Sequence, residues 1–226
     1  MQKTMSEQIF ERFCEDRGIV CTRVPEGEGR TPDYELDLDS VRVVVEVKEI
    51  APSAEELESE RLARVRGYGN AISSTPGDKV RKKIGDCSSQ IKARTGGTLP
   101  SMLVVFDRGR VVGHADADNI RVAMYGMEQV YIALPPIGEG EPYATGMGHG
   151  PRRKMTPEHN TSISAVGTLF MTGPLDVHLH VYHNCFARVP LDTRLLARHH
   201  IPQFQIGEPR TRSASAWHEV GLEHEP

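Results

Sequence analysis

The alternation of apolar and polar residues between positions 33 and 48 is the clearest structural signal in the chain. Tyr34-Glu35-Leu36-Asp37-Leu38 alternates at every residue, and the run from Val41 to Lys48 is rich in β-branched residues and nearly alternates. A period of two is typical of strands that bury one face. Asp39-Ser40 between the two runs predicts a two-residue hairpin turn, although Asp-Ser is a weaker turn signal than Asn-Gly.

This hairpin predicts a definite strand register. If Leu38 pairs with Val41 and Tyr34 with Val45, one face of the hairpin is wholly apolar, and Asp33 is expected directly across from Glu46. A slip of one residue would mix polar and apolar side chains on both faces, so the pattern favours this register. The opposite face then carries Asp33, Glu35, Asp37, Arg42, Val44, Glu46 and Lys48.

Local signals predict the other elements of the first half of the chain. Capping residues, glycines after helices and β-branched runs mark the element boundaries. Together they predict the order helix, three strands, helix, strand, with one additional helix inserted before the second one. The predicted boundaries are a helix from a Ser6 cap to about Arg17, a strand at Ile19–Val24, a helix from a Ser53 capping box to about Arg66, a helix from a Thr75 cap to about Arg94, and a buried strand at Ser101–Phe106.

The second half of the chain gives weaker signals. Residues 135–157 are rich in Gly and Pro and predict a long mobile loop. Trp217 indicates that part of the C-terminal tail packs on the protein. The predicted elements are a short helix at Ala117–Tyr125, a strand at Val130–Leu134, a hairpin of Ile163–Phe170 and Leu175–Tyr182 around Gly173-Pro174, and a short helix at Leu191–Arg198. We predict a core over 1–134, a Gly/Pro-rich loop over 135–161, and strands and tail over 162–226 on the same domain.

Composition indicates a soluble globular protein. The 226 residues are 38% hydrophobic and 26% charged, with a mean hydropathy of -0.41 and a net charge of -4. No apolar run is long enough to span a bilayer, and the first residues lack the apolar stretch of a secretory signal. The four cysteines are scattered without a Cys-x-x-Cys pair. These features predict a reduced, cytoplasmic protein without a membrane partner.

The acidic net charge hides a local basic segment. Residues 1–60 are acidic, whereas nine Lys or Arg residues between positions 61 and 94 face only Asp78 and Asp86. Such a segment is either a solvated helix face or a surface that contacts phosphates. The candidates for nucleic-acid binding on the second of its two helices are Lys79, Arg81, Lys82, Lys83, Lys92 and Arg94.

Two short motifs lie on the predicted hairpin: Pro32-Asp33 and Glu46-Val47-Lys48. With the predicted element order, they resemble the PD-(D/E)xK nuclease superfamily, over roughly the first half of the chain. The resemblance implies an α/β fold with a restriction-endonuclease-like αβββαβ core, a mixed central sheet flanked by helices, followed here by a C-terminal β-rich extension. It also implies a metal-dependent endonuclease that hydrolyses phosphodiester bonds of DNA.

The resemblance assigns roles to particular residues. Asp33, Glu46 and the backbone carbonyl of Val47 would bind Mg²⁺ (or Mn²⁺), and Lys48 would position water or offset charge in the transition state. Glu7 on the first helix would add a third carboxylate, unless it only stabilises the helix terminus. Gln90 would face the site from the later helix, unless it is a surface glutamine.

Two other functions remain open from the sequence. The same fold could serve as a catalytically silent nucleic-acid-binding or assembly module. His178 and His180 share one face of a predicted strand and could bind a metal, although their alternation with apolar residues is equally typical of a half-buried strand. A homodimer would suit a double-strand cutter, although no residue pattern in the sequence indicates one.

Overall fold

The computed structural model describes residues 3–25, 31–68, 74–109, 113–173, 175–207 and 216–221. Within these ranges the chain forms five helices and ten strands. In chain order they are α1 (Met5–Asp16), β1 (Val20–Arg23), β2 (Tyr34–Leu38), β3 (Val41–Ile50), α2 (Ala54–Arg66), α3 (Asp78–Thr95), β4 (Ser101–Asp107), α4 (Ala117–Tyr125), β5 (Glu128–Ala133), β6 (Tyr143–His149), β7 (Ala165–Met171), β8 (Val177–His183), α5 (Thr193–Ala197), β9 (Gln203–Gln205) and β10 (His218–Val220).

Eight strands form one mixed sheet in the order β1-β2-β3-β4-β7-β8-β9-β10, and β5 and β6 form a separate antiparallel hairpin. The strands β1, β2 and β3 are antiparallel neighbours, whereas β3, β4 and β7 run parallel. The chain is therefore an α/β protein with helices flanking a mixed sheet. The predicted order of helix, three strands, helix and strand is confirmed, with α2 as the additional helix.

The predicted register of the β2–β3 hairpin is confirmed. Tyr34 pairs with Val45 and Leu38 with Val41. The turn residues Asp39 and Ser40 have φ values of 52° and 67°, the left-handed conformation that a two-residue hairpin turn requires at both central positions. The face of the hairpin that carries Tyr34 is buried except at Val41, which lies at the turn.

Helices cover both faces of the sheet. Phe10 and Phe13 of α1 pack on the face that carries Tyr34, and burial of each such side chain contributes roughly 1.5–3 kcal/mol. Ile84 and Ile91 of α3 pack on the other face, together with residues of α4. Because α3 covers that second face, polar positions of β3 that an isolated hairpin would expose become buried.

Two predicted helix starts are wrong. Thr4, not Ser6, caps α1, because its side chain accepts a hydrogen bond from Glu7 N at 3.3 Å while the carboxylate of Glu7 accepts one from Thr4 N at 2.6 Å. The cap of α3 is Gly77, not Thr75. The Gly77 N–H donates to Asn119 Oδ1 at 2.6 Å, so a contact distant in sequence determines where this helix begins.

The prediction of a loop over residues 135–157 is wrong for Tyr143–His149, which forms β6 and pairs with β5. Glycines that suggested a loop instead make room for Tyr131. A Cβ at Gly148 would lie 2.9 Å from Tyr131 Oη, and one at Gly146 would lie 3.8 Å from the same ring. Gly in a strand often marks a close approach of this kind.

The remaining segments follow the predictions more closely. The predicted hairpin of β7 and β8 is confirmed, and both strands belong to the main sheet; Pro174 of its turn lies outside the described residues. Packing of Trp217 is confirmed, since its Nε1 donates to the carbonyl of Ala117 at 2.9 Å and its ring lies 4.8 Å from that of Tyr182. None of the helices in the described ranges is long and apolar enough to cross a bilayer.

Candidate metal centre

Asp33 is held at the point where β2 begins. The backbone pairing between β2 and β3 ends at Tyr34 and Val45. Beyond that pair, the side chain of Asp33 takes the place of a backbone acceptor, because Val47 N donates to Asp33 Oδ2 at 2.8 Å. The N–H and C=O of a strand residue point to the same side of the strand. The carbonyl of Val47 is therefore directed towards Asp33 as well.

Glu46 is completely buried beneath α3. Its charge partner is Lys48, whose Nζ forms an ion pair with Glu46 Oε1, and within the described residues neither oxygen of Glu46 accepts a hydrogen bond of ordinary geometry. Burial and then the neighbouring charge of Asp33 raise the pKa of Glu46, and interactions with Lys48 and Gln90 offset part of that rise. A buried carboxylate with so few partners is costly unless a cation binds it.

Asp33 shares this electrostatic environment. Burial raises its pKa, the N–H of Val47 and the charge of Lys48 lower it in part, and the charge of Glu7 raises it further. Two neighbouring carboxylates whose pKa values are both raised oppose each other's ionisation. A cation bound between Asp33 and Glu46 would remove that opposition.

Lys48 remains protonated at this site. Burial alone would lower its pKa, but the carboxylate of Glu46 and then that of Asp33 outweigh this effect and raise it. The side chain is 30% exposed. Lys48 therefore offers a positive charge at the boundary between the buried carboxylates and solvent.

Glu7 lies close enough to affect the pKa of Asp33, but its own oxygens are engaged. Oε2 accepts hydrogen bonds from Thr4 N at 2.6 Å and Thr4 Oγ1 at 2.7 Å, and Oε1 accepts one from Arg23 at 3.0 Å. Burial would raise the pKa of Glu7, but these hydrogen bonds and the charges of Arg23 and Lys48 lower it. This geometry favours a role in positioning α1 over the predicted role as a metal ligand.

Gln90 is a close neighbour of Glu46. It projects from α3, is buried, and its side chain interacts with the carboxylate of Glu46. One turn earlier on the same helix, Cys87 also lies close to the site. Burial and then the charge of Glu46 raise the pKa of the Cys87 thiol to about 12, so this thiol is neutral.

Sequence reasoning missed Arg23 and Cys87. Arg23 pairs with Tyr34 across β1 and β2, which places it next to Asp33. Extending the register argument from the β2–β3 hairpin to β1 would have indicated this neighbour. Cys87 lies three residues before Gln90, so the helical period that oriented Gln90 could also have identified it.

The cluster suits a cation that needs few protein ligands. Nowhere in the described ranges do three or more His, Cys, Asp or Glu side chains form a metal-binding group. The site instead brings together the carboxylates of Asp33 and Glu46 and the carbonyl of Val47. Mg²⁺ binds through one or two carboxylates and retains several waters, so this oxygen set fits it.

Three of the six predicted phosphate-binding cations have charge partners within the protein. Lys79 Nζ lies 2.7 Å from the carboxylate of Glu56, and the Arg94 guanidinium lies 2.6 Å from that of Glu35. Arg81 is buried and forms an ion pair with an acidic residue in the first turn of α3. These three side chains are therefore already engaged with carboxylates around α3.

The other three cations form no ion pair within the described residues. Lys82 and Lys92 are exposed and Lys83 is half-buried. Lys82 borders a cavity of about 420 Å³ whose opposite wall is the basic segment 152–154. These residues remain the candidates for contact with phosphates.

His178 and His180 of β8 pack against aromatic rings. The ring of Phe170 lies 5.3 Å from His178 and 4.9 Å from His180, and Phe204 lies 5.5 Å from His180. Burial lowers the pKa of His180, as expected in apolar surroundings. No third ligand joins them within the described part of the chain, so the structure favours packing over metal binding.

The chain matches no known protein family, no curated protein and no solved structure at a significant level. A functional interpretation therefore depends on the motif, the order of the elements and the geometry of the cluster around Glu46.

Proposed function

We propose that this protein is a divalent-metal-dependent nuclease that hydrolyses phosphodiester bonds of DNA. The observation that carries the proposal is the meeting of Asp33, Glu46 and Lys48 at one end of the β2–β3 hairpin, with both carboxylate pKa values raised and the pKa of the ammonium raised. We further infer that the elements from α1 to β4 form a restriction-endonuclease-like core and that β7–β10 form its extension.

The oxygen atoms of Asp33, Glu46 and Val47 are the proposed ligands of Mg²⁺ or Mn²⁺. The bound cation would polarise a phosphate and lower the pKa of a coordinated water, which is the chemistry that phosphodiester hydrolysis needs. Asp33 and Glu46 must both be ionised to bind it. Binding is therefore expected to weaken on acidification at a higher pH than for carboxylates with ordinary pKa values.

Lys48 supplies the positive charge next to the reacting phosphate. Its ammonium lies at the exposed edge of the cluster, where it can offset negative charge that develops on phosphate oxygens. Gln90 holds Glu46 from the side of α3. Glu7 and Arg23 hold the start of α1 against β1, which keeps Asp33 in its environment.

A wider cavity at the carboxyl ends of the parallel strands is the proposed binding surface for a flanking part of the polyanion, since no residue of the cluster around Glu46 lines it. It has a volume of about 870 Å³, is bordered by the ends of β4 and β7, and carries Arg61, Arg64 and Arg108. Ligands of open α/β sheets commonly bind at the carboxyl ends of strands. Each of these arginines has an acidic partner in the protein, so phosphate binding there would exchange one ion pair for another.

The decisive experiment measures cleavage of supercoiled plasmid, single-stranded DNA and single-stranded RNA with Mg²⁺, Mn²⁺ or EDTA. We expect metal-dependent cleavage by the wild type and losses of about 10²-fold or more in Glu46→Gln and Lys48→Ala, because removal of one stabilising group from an active site commonly has this effect. Glu15→Gln is the matched control. Glu15 is an exposed carboxylate on α1, outside the cluster and outside the cavity that carries the three arginines.

Three outcomes would change the proposal. Cleavage that survives both Glu46→Gln and Lys48→Ala would show that this site is not catalytic. Metal-independent DNA binding without cleavage by any variant would favour the silent binding or assembly module. Cleavage confined to RNA would retain the site but change the substrate.

A further inference from the structure

The β5–β6 hairpin lies outside the main sheet and exposes an unusual amount of apolar surface. Half of the exposed large apolar side chains in the described part of the chain lie within residues 127–147. Apolar side chains exposed singly are ordinary, whereas a contiguous cluster marks an interaction surface. The cluster consists of Met127, Val130, Tyr131, Ile132, Leu134, Ile137, Tyr143 and Met147, each at least 47% exposed.

Both faces of the hairpin contribute to this surface. Val130 pairs with Met147 across the strands, and Ile132 extends the apolar surface along β5. Tyr131 lies over Gly146 and Gly148. An isolated two-stranded sheet is marginally stable in water. The hairpin therefore needs a partner against which its apolar residues can be buried.

The exposed apolar area of the hairpin is comparable with that of a standard protein interface. Large apolar and aromatic side chains carry ~150–250 Å² each, so eight of them at the observed exposures present on the order of 1,000 Å². A specific interface of standard size buries about 800 Å² on each partner. Because these side chains lie on both faces, two hairpins packed face to face would bury about half of this apolar area. Interfaces are only about 56–65% non-polar, so the rest of the interface would come from polar atoms of the hairpin, its tip and its base.

The charges along the hairpin make it complementary to a second copy of itself. Its tip carries the exposed acidic residues Glu139 and Glu141, and the exposed Arg152 and Arg153 follow directly after its base. The strands are about 20 Å long, so two hairpins packed antiparallel across a two-fold axis would bring each acidic tip near the basic base of the partner. The same arrangement would bury both apolar surfaces.

From this geometry we propose that the β5–β6 hairpin is the interface of a homodimer. Residues 127–150 contain three Glu and neither Lys nor Arg, which disfavours nucleic acid or an anionic membrane as the occupant. The proposal is independent of the proposed metal site, because it uses no residue of the cluster around Glu46.

Sedimentation velocity over a range of protein concentrations tests the proposal. The wild type is expected to be a dimer at micromolar concentration, and Ile132→Lys combined with Met147→Lys a monomer with an unchanged circular dichroism spectrum. Leu175→Lys is the matched control, because Leu175 is as exposed as the hairpin residues but lies between β7 and β8. It should leave the dimer intact.

Exchanging the charges of the tip and the base tests the antiparallel arrangement, because the variant with both sets of substitutions should regain association. Glu139→Arg with Glu141→Arg should weaken the dimer by about tenfold or more, because each tip then repels the base of its partner. Adding Arg152→Glu and Arg153→Glu to the same chain should restore it. The proposal would be overturned if the wild type is monomeric up to about 100 µM, or if the Lys substitutions do not affect the dimer. The antiparallel arrangement would be overturned if the charge exchange fails to restore association.

Discussion

Glu7 provides the sharpest test of which carboxylates bind metal and which hold the site in place. Its hydrogen bonds with Thr4 complete a capping box, which contributes ~1 kcal/mol to stability. Its partly buried contact with Arg23 at 3.0 Å contributes about 1 kcal/mol more. Glu7→Ala should therefore destabilise the protein by about 2 kcal/mol, and for a protein of this size this lowers the Tm by roughly 4–8 °C.

Glu7→Gln separates the two contributions. Glutamine keeps the capping hydrogen bond to Thr4 N but removes the charge, so about half of the loss should remain. The sign of the pH dependence follows from the lowered pKa of Glu7. The stabilisation that its charge provides is present above the pKa of an unfolded glutamate and is lost as the pH falls through the folded-state pKa. The wild type and Glu7→Gln should therefore converge in stability at acid pH.

Urea denaturation in EDTA measures these losses, and the shift in Tm on addition of Mg²⁺ or Mn²⁺ measures metal binding. If Glu7 positions α1, both variants lose stability in EDTA but retain a metal-induced shift close to that of the wild type. Glu15→Ala on the exposed side of the same helix is the control and should change stability by less than about 0.5 kcal/mol. The reasoning is refuted if Glu7→Gln is as stable as the wild type in EDTA yet loses the metal-induced shift.

Three further predictions concern the carboxylates, α3 and the basic surface. In EDTA, the wild type should lose stability as the pH rises through the raised folded-state pKa values of Asp33 and Glu46, because the fold favours their protonated forms. Thermal unfolding measured against pH should show this decrease for the wild type but not for Asp33→Asn/Glu46→Gln. Gly77→Ala should cost roughly 2–3 kcal/mol in urea denaturation, because φ is 75° there and a Cβ would lie 2.8 Å from Ala123 N. Lys82→Glu should weaken DNA binding and reduce the slope of log affinity against log salt by about 1 if Lys82 contacts phosphate, whereas unchanged titrations would exclude that contact.

The sequence predicts the β2–β3 hairpin well because a single physical constraint acts along it. One face must be buried and the side chains alternate with a period of two, so a slip of one residue would place Tyr34 and Val45 on opposite faces. The short turn excludes larger slips. The same register brings Asp33 close to β3 beside Glu46. The position of Asp33 beside Glu46 could therefore be predicted from the local sequence pattern alone.

The remainder depends on contacts between residues distant in sequence. The start of α3 is determined by Asn119, and the side chain of Glu7 is held by Arg23 on another element. The strand β6 was missed because its glycines resemble those of a loop until the ring of Tyr131 is placed against them. Local propensity carries no information about any of these partners.

The stability of the fold does not account for the burial of the Glu46 carboxylate. Glu46 lies on the polar face of the hairpin and would be solvated if α3 did not pack over it. Because α3 does, the carboxylate of Glu46 is buried beside a second carboxylate and its pKa is raised. An apolar residue there would pack against Cys87 without this penalty, and replacing buried ion pairs by apolar residues is often neutral or stabilising. Groups whose pKa is perturbed at a cost in stability cluster at functional sites. For the pair of Asp33 and Glu46, with Lys48 at its exposed edge, the proposed binding of a cation and a phosphate supplies a reason that the stability of the sheet does not.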